Sequence, residues 1–105
     1  MADSTNNLLD VRASDGSRHF AALPESIEWM ELRGALTSKS GVIVTKFVSD
    51  RITQAIIDFT YRGHEFTVDT QFGEYWLFVR DAACPVEILT DVVKSISLMM
   101  LNTKH

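Results

Sequence analysis

Arg62-Gly63 stands between two runs rich in β-branched and aromatic residues, 55–61 and 64–70. A two-residue connection between antiparallel strands needs positive φ, which glycine adopts without a Cβ clash. The pair therefore reads as a tight hairpin turn, although Asn or Asp is the commoner companion of glycine there. A loop of two residues also fixes the register. It sets Tyr61 opposite His64, Phe59 opposite Phe66 and Ile57 opposite Val68, all on one face. The other face receives Thr60 with Glu65, Asp58 with Thr67 and Ile56 with Asp69. A slip of one residue would part Phe59 from Phe66 and Val68, so turn chemistry and apolar pattern agree.

A second turn follows at Gln71-Phe72-Gly73. A three-residue loop with Gly73 in the left-handed region would place Trp76 and Phe78 beside Phe66 and Val68. A four-residue loop over 70–73 would place Tyr75 and Leu77 there instead. In either case Tyr75-Trp76-Leu77-Phe78-Val79 is apolar on both faces, whereas a strand with one wet face should alternate. A helix, the N-terminal segment or another subunit is expected to cover its second face.

Upstream, Val42-Ile43-Val44-Thr45-Lys46-Phe47-Val48 is β-branched and too short for a buried helix, so it reads as a strand. The polar break Ser49-Asp50-Arg51 leads back toward Ala55. A rival helical spacing, Ile52, Ala55, Ile56 and Phe59, leaves Tyr61 unexplained, and the strand reading is preferred. Pro24-Glu25 reads as a helix start, with proline at the first position and Glu25 and Glu28 at the positive end of the dipole. That helix is expected over 24–36, with Ile27, Met30 and Gly34 on one stripe and Trp29, Leu32 and Leu36 on the next. Cys84-Pro85 opens a longer helix over 85–101. Its stripe is Val86, Leu89, Val93, Ile96 and Met100, widened by Ile88, Val92 and Met99. Leu98 and Leu101 extend the apolar surface past that stripe. The N-terminal part is thinner. Residues 1–7 read as a disordered tail. Leu8–Val11 and Arg18–Phe20 read as two short strands around the turn Ser14-Asp15-Gly16-Ser17, or as an irregular strap across the sheet.

The expected fold is a single α+β domain over 1–105. It holds a four-stranded antiparallel meander (42–48, 54–61, 64–70, 74–80), with one helix before the sheet and the C-terminal helix packed on it.

The 105 residues give room for one modest core. The net charge of −4, with ten scattered Lys and Arg, argues against nucleic-acid binding. No apolar run approaches the roughly 20 residues a membrane helix needs. The first residues lack the pattern of a secretory leader, and a single cysteine fits a reducing compartment. A cytoplasmic location is the resulting expectation.

Four side chains are candidates for ligand binding: His64, Tyr61, Tyr75 and Trp76. His64 is the most site-like residue, a possible base or metal ligand near Asp58, Glu65 or Asp69. Adjacent strand residues point to opposite faces, however, so His64 and Glu65 do not converge. No second histidine stands at ligand spacing, and neither a metal nor a cofactor is expected. Asp58, Glu65, Asp69 and Glu74 form an acidic row that suits a divalent cation or simply a solvated face. Cys84, just before a helix N-terminus, is a candidate reactive thiol, balanced by the reading of an inert buried one. No phosphate-binding glycine pattern and no hydrolase signature occurs.

Three functions follow. The first is a non-catalytic interaction module that self-associates, as a homodimer, through surplus apolar surface. The second is a small ligand-binding protein or enzyme with a site near His64, Tyr61 and the Tyr75–Phe78 strand. The third is an acidic chaperone-like or adaptor protein that takes an extended peptide from a protein partner.

Overall fold

In a computed structural model, which describes residues 8–49 and 54–103, both hairpin loops of the central block are two residues long. Arg62 and Gly63 have φ of 52° and 79°, and Phe72 and Gly73 have 53° and 79°. Positive φ at both central positions matches the right-handed twist of the flanking strands, which is why such turns close hairpins. The first turn produces the expected register: Tyr61 faces His64, Phe59 faces Phe66 and Ile57 faces Val68. The second pairs Gln71 with Glu74 and Thr70 with Tyr75. It is shorter than either loop considered from the sequence, yet it turns Tyr75 and Leu77 to the core, as the four-residue alternative would.

The class is α+β, but the sheet has six antiparallel strands, not four. In chain order these are β1 (Val11–Arg12), β2 (Arg18–Pro24), β3 (Val42–Ser49), β4 (Ala55–Tyr61), β5 (His64–Gln71) and β6 (Glu74–Val79). Their spatial order is β1-β2-β6-β5-β4-β3. The extra pair comes from the N-terminal segment, where β2 docks antiparallel on β6. Its alternation is hidden by a bulge between His19 and Ala21, so Phe20 and Ala21 are both buried. Pro24 ends β2 opposite Glu74 and does not start a helix. Proline is tolerated there because β1 pairs only with Arg18 and His19, which leaves the Pro24 edge with no ladder bond to donate.

Helix α1 (Trp29–Ser38) begins five residues later than the sequence suggests. The intervening residues are held elsewhere: Glu25 N–H donates to Gly73 O at 3.0 Å, and Tyr75 Oη donates to Ile27 O at 2.5 Å. The start is set by Glu31, whose carboxylate accepts the Glu28 backbone N–H at 3.2 Å. Leu32 and Leu36 are its buried residues, and Met30, grouped with Ile27 from spacing, is exposed. Helix α2 (Val86–Thr103) runs close to the expected span.

Both helices lie over one face of the sheet. Phe59, Phe66, Tyr75, Leu77 and Val79 meet Leu32 and Leu36 of α1 and Leu89, Val92, Ile96 and Met100 of α2 in one buried cluster. Phe66 is central: its ring stacks on Phe59 at 5.3 Å and meets Phe20 edge-on at 5.9 Å. The expected tail, residues 1–7, and Asp50 and Arg51 of the polar break lie outside the described residues, together with 52 and 53.

Phe72 is a non-glycine residue in the left-handed region, where a Cβ costs roughly 1–2 kcal/mol. The residue is 91% exposed and recovers little by packing; among the described residues its ring meets that of Trp76, with centroids 6.2 Å apart. Phe72→Asn completes an Asn-Gly turn and is expected to stabilise the protein by about 1 kcal/mol. A thermal melt reads this as a higher midpoint. A lower midpoint would mean that the Trp76 contact outweighs the backbone strain.

Candidate functional site

Among the described residues, one face of the six-stranded sheet carries no helix. At its β2–β6 side the face is aromatic. His19 stacks on Trp76 at 4.6 Å and on Phe78 at 4.9 Å. Its Nε2 lies 3.0 Å from Ala21 O, and because a carbonyl only accepts, that nitrogen carries the proton. The second apolar side of β6 is thus flanked by the N-terminal strand β2 through His19, and Trp76 and Phe78 stay half-buried. Toward β4 the face is polar and hollow. A groove of about 530 Å³ runs over Asp58, Thr60, Glu65 and Thr67, walled by the turn at Asp15 and by Thr45 of β3.

The four acidic residues of that face are each engaged by a different neighbour. Thr67 Oγ1 donates to Asp58 at 2.7 Å, and Arg80 Nη1 to Glu65 at 3.4 Å. Gln54 Nε2 donates to Asp69 at 3.2 Å, and Trp76 Nε1 to Glu74 at 3.1 Å. Cross-strand geometry spreads these carboxylates, and among the described residues no three His, Cys, Asp or Glu come close enough to hold a metal ion.

The side chains singled out from the sequence do not gather. Tyr61 and His64 are cross-strand neighbours on the helix-covered face. Trp76 is on the opposite face. Tyr75 shares the face of Tyr61 but is wholly buried, its hydroxyl spent on Ile27 O. Burial pushes the Tyr75 phenol far above its ordinary range, with Glu25, Glu28 and Glu31 adding to the effect. His64 Nδ1 lies 4.0 Å from Asp81 Oδ2. Cys84 is buried, with Sγ 3.8 Å from Pro85 O. Burial, and then the Asp81 carboxylate, push its thiol upward, which keeps it protonated at neutral pH.

One polar cluster was not legible in the sequence. Tyr61 Oη donates to Asp91 Oδ2 of α2 at 2.5 Å. Arg62 Nη2 stands 3.7 Å from the same oxygen, and Ser95 Oγ donates to Asp91 Oδ1 at 3.4 Å. The Lys39 ammonium and the Arg62 guanidinium lie 5.4 and 5.5 Å from the Tyr61 ring centre. The Tyr61 bond, ahead of Lys39 and Arg62, holds the Asp91 carboxyl below its usual range, and the same bond raises the Tyr61 phenol. The cluster ties the end of β4 to α2. No sequence signal pairs residues 61 and 91, because the contact depends on how α2 lies across the sheet.

The outer surface of α2 is apolar and uneven. Leu98 is 57% exposed and Leu101 is 69% exposed. A hollow of about 370 Å³ lies on one side of Leu98, lined by Leu8, Thr90, Val93, Lys94, Ser97 and Leu101. A second, of about 250 Å³, lies on its other side against Ala35, Ser38 and Lys39 at the end of α1. No helix among the described residues is long and apolar enough to cross a membrane. Comparison with protein-family models, curated proteins and solved structures finds no match for this chain.

Proposed function

We propose that this protein is a non-catalytic interaction module that self-associates through apolar surface. The observation that carries the reading is the exposed pair Leu98 and Leu101 on a helix whose other side is already committed to the core. The chemically capable side chains point the same way. Tyr61 and Tyr75 spend their hydroxyls on Asp91 and Ile27, and the Cys84 thiol is buried. The single cysteine, buried and unpaired, also suits work in a reducing cytoplasm. Light scattering coupled to size exclusion tests the reading. The expected result is a mass twice that of the 11.8 kDa chain at micromolar concentration. A strict monomer at high micromolar concentration overturns it.

A second reading, binding of a small ligand, is favoured by the groove over Asp58, Thr60, Glu65 and Thr67, whose volume is within the range of ligand pockets. Thr60→Trp would fill that groove without touching the core face. A ligand found by native mass spectrometry and unaffected by Thr60→Trp would place binding elsewhere.

A further inference from the structure

We infer that the groove on the helix-free face of the sheet takes an extended aliphatic amine carrying two or more ammonium groups. The inference rests on the small-ligand reading of that groove and gives it a ligand class.

The groove is rich in acceptors. Asp15, Asp58 and Glu65 line it together with Arg80. Each of the three carboxylates meets a donor from another residue at one oxygen only. Asp15 Oδ1 accepts the Ser17 backbone N–H at 3.0 Å and the Ser17 hydroxyl at 2.7 Å. Asp58 Oδ1 accepts Thr67 Oγ1 at 2.7 Å, and Glu65 Oε1 accepts Arg80 Nη1 at 3.4 Å. Among the described residues, Asp15 Oδ2, Asp58 Oδ2 and Glu65 Oε2 accept no hydrogen bond from another residue. An ionised carboxylate only accepts, so a molecule that engages all three must bring the hydrogens.

Charge narrows the choice. Three carboxylates against one guanidinium leave the lining with a surplus of two negative charges. Lys46 stands opposite Asp58 in the β3–β4 ladder, yet among the described residues no ion pair joins them. A neutral polyol would satisfy the oxygens and leave that surplus standing. Ammonium groups satisfy both, through charge-assisted hydrogen bonds.

Spacing decides the shape. Among the described residues no three carboxylates or other metal-ligating groups stand close enough to share one metal ion. Charges set apart along a methylene chain can reach carboxylates that a point charge cannot bridge. The half-buried Phe78 ring, stacked on His19 at 4.9 Å, lines the same groove. It offers the methylenes an apolar surface and an ammonium group a π face.

The test is a nuclear magnetic resonance titration of the full chain with putrescine, with its neutral analogue butanediol, and with magnesium chloride. Putrescine is expected to bind at least about tenfold tighter than butanediol and to shift the amides around Asp58, Thr60 and Thr67. Magnesium at the same concentration should not displace it. Asp58→Asn keeps the shape and the Thr67 bond while removing one charge, and should weaken putrescine roughly fivefold. Thr60→Trp should abolish its binding. Circular dichroism of both variants should match the parent, because neither side chain faces the core. Putrescine that binds no tighter than butanediol, that is indifferent to Asp58→Asn, or that yields to magnesium overturns the amine assignment and leaves the groove reading standing. Putrescine binding that survives Thr60→Trp overturns both.

Discussion

Phe66→Ala is expected to remove about 3–5 kcal/mol of folding stability, a large share of the about 5–15 kcal/mol that holds such a domain folded. The magnitude follows from position. Phe66 is 2% exposed, stacks on Phe59 from β4 and meets Phe20 from β2, so one ring joins two strands that are not neighbours in the sheet. Truncation loses the transfer energy of the ring and leaves a cavity beneath both helices, which the β4–β5–β6 frame is too rigid to close. Denaturant unfolding should show a lower midpoint with little change in slope. Phe78→Ala is the control. It deletes the same ring on the open face, where Phe78 is only half-buried against His19, and should cost much less. Equal losses at the two positions would contradict the assignment of the core to the Phe66 face.

Asp91→Ala is expected to cost about 1–2 kcal/mol at neutral pH. A charge-assisted hydrogen bond contributes roughly 1.5–3 kcal/mol when buried, and the figure is reduced because the Asp91 side chain is one third exposed and partly screened. The loss should depend on pH in a definite way. The folded state lowers the Asp91 carboxyl, so its contribution is present above the unfolded carboxyl value near 4 and fades as pH falls through the lower folded value. The folded state raises the Tyr61 phenol, so the same bond is complete below the unfolded phenol value near 10 and fades as pH rises through the higher folded value. The difference in stability between the parent and Asp91→Ala should therefore form a plateau from about pH 4 to pH 10 and shrink beyond both ends. A difference that is flat down to pH 2 would show that the bond does not hold α2 to β4.

The parts of the fold legible in the sequence are those fixed by local chemistry. Arg62-Gly63 set the β4–β5 register because turn geometry and the Phe59, Phe66 and Val68 pattern agree. The α2 stripe predicted the buried Leu89 and Ile96 and the surplus at Leu98 and Leu101. What escaped depended on distant chain. The N-terminal segment reads as two short strands or a strap, but the full length of β2 and its docking on β6 are masked because its bulge turns Phe20 and Ala21 to the same side and Pro24 mimics a helix start. The partner of Trp76 and Phe78 proved to be His19, which lies more than fifty residues away. The groove beside Thr60 and the tie between Tyr61 and Asp91 were invisible for the same reason. Each is assembled from segments that the sheet order brings together, and no spacing along the chain encodes that.

The bulge that lengthens β3 at Thr45, between Val44 and Lys46, has a consequence for how copies of this protein can meet. β3 is one border of the sheet, and β1, at the other, is two residues long. An interrupted border carrying a lysine and a border too short to template anything both discourage strand-by-strand growth, the route by which sheet proteins run on into fibrils. Any association of copies is thereby steered away from endless polymers, because neither rim of the sheet offers a long, regular strand to extend.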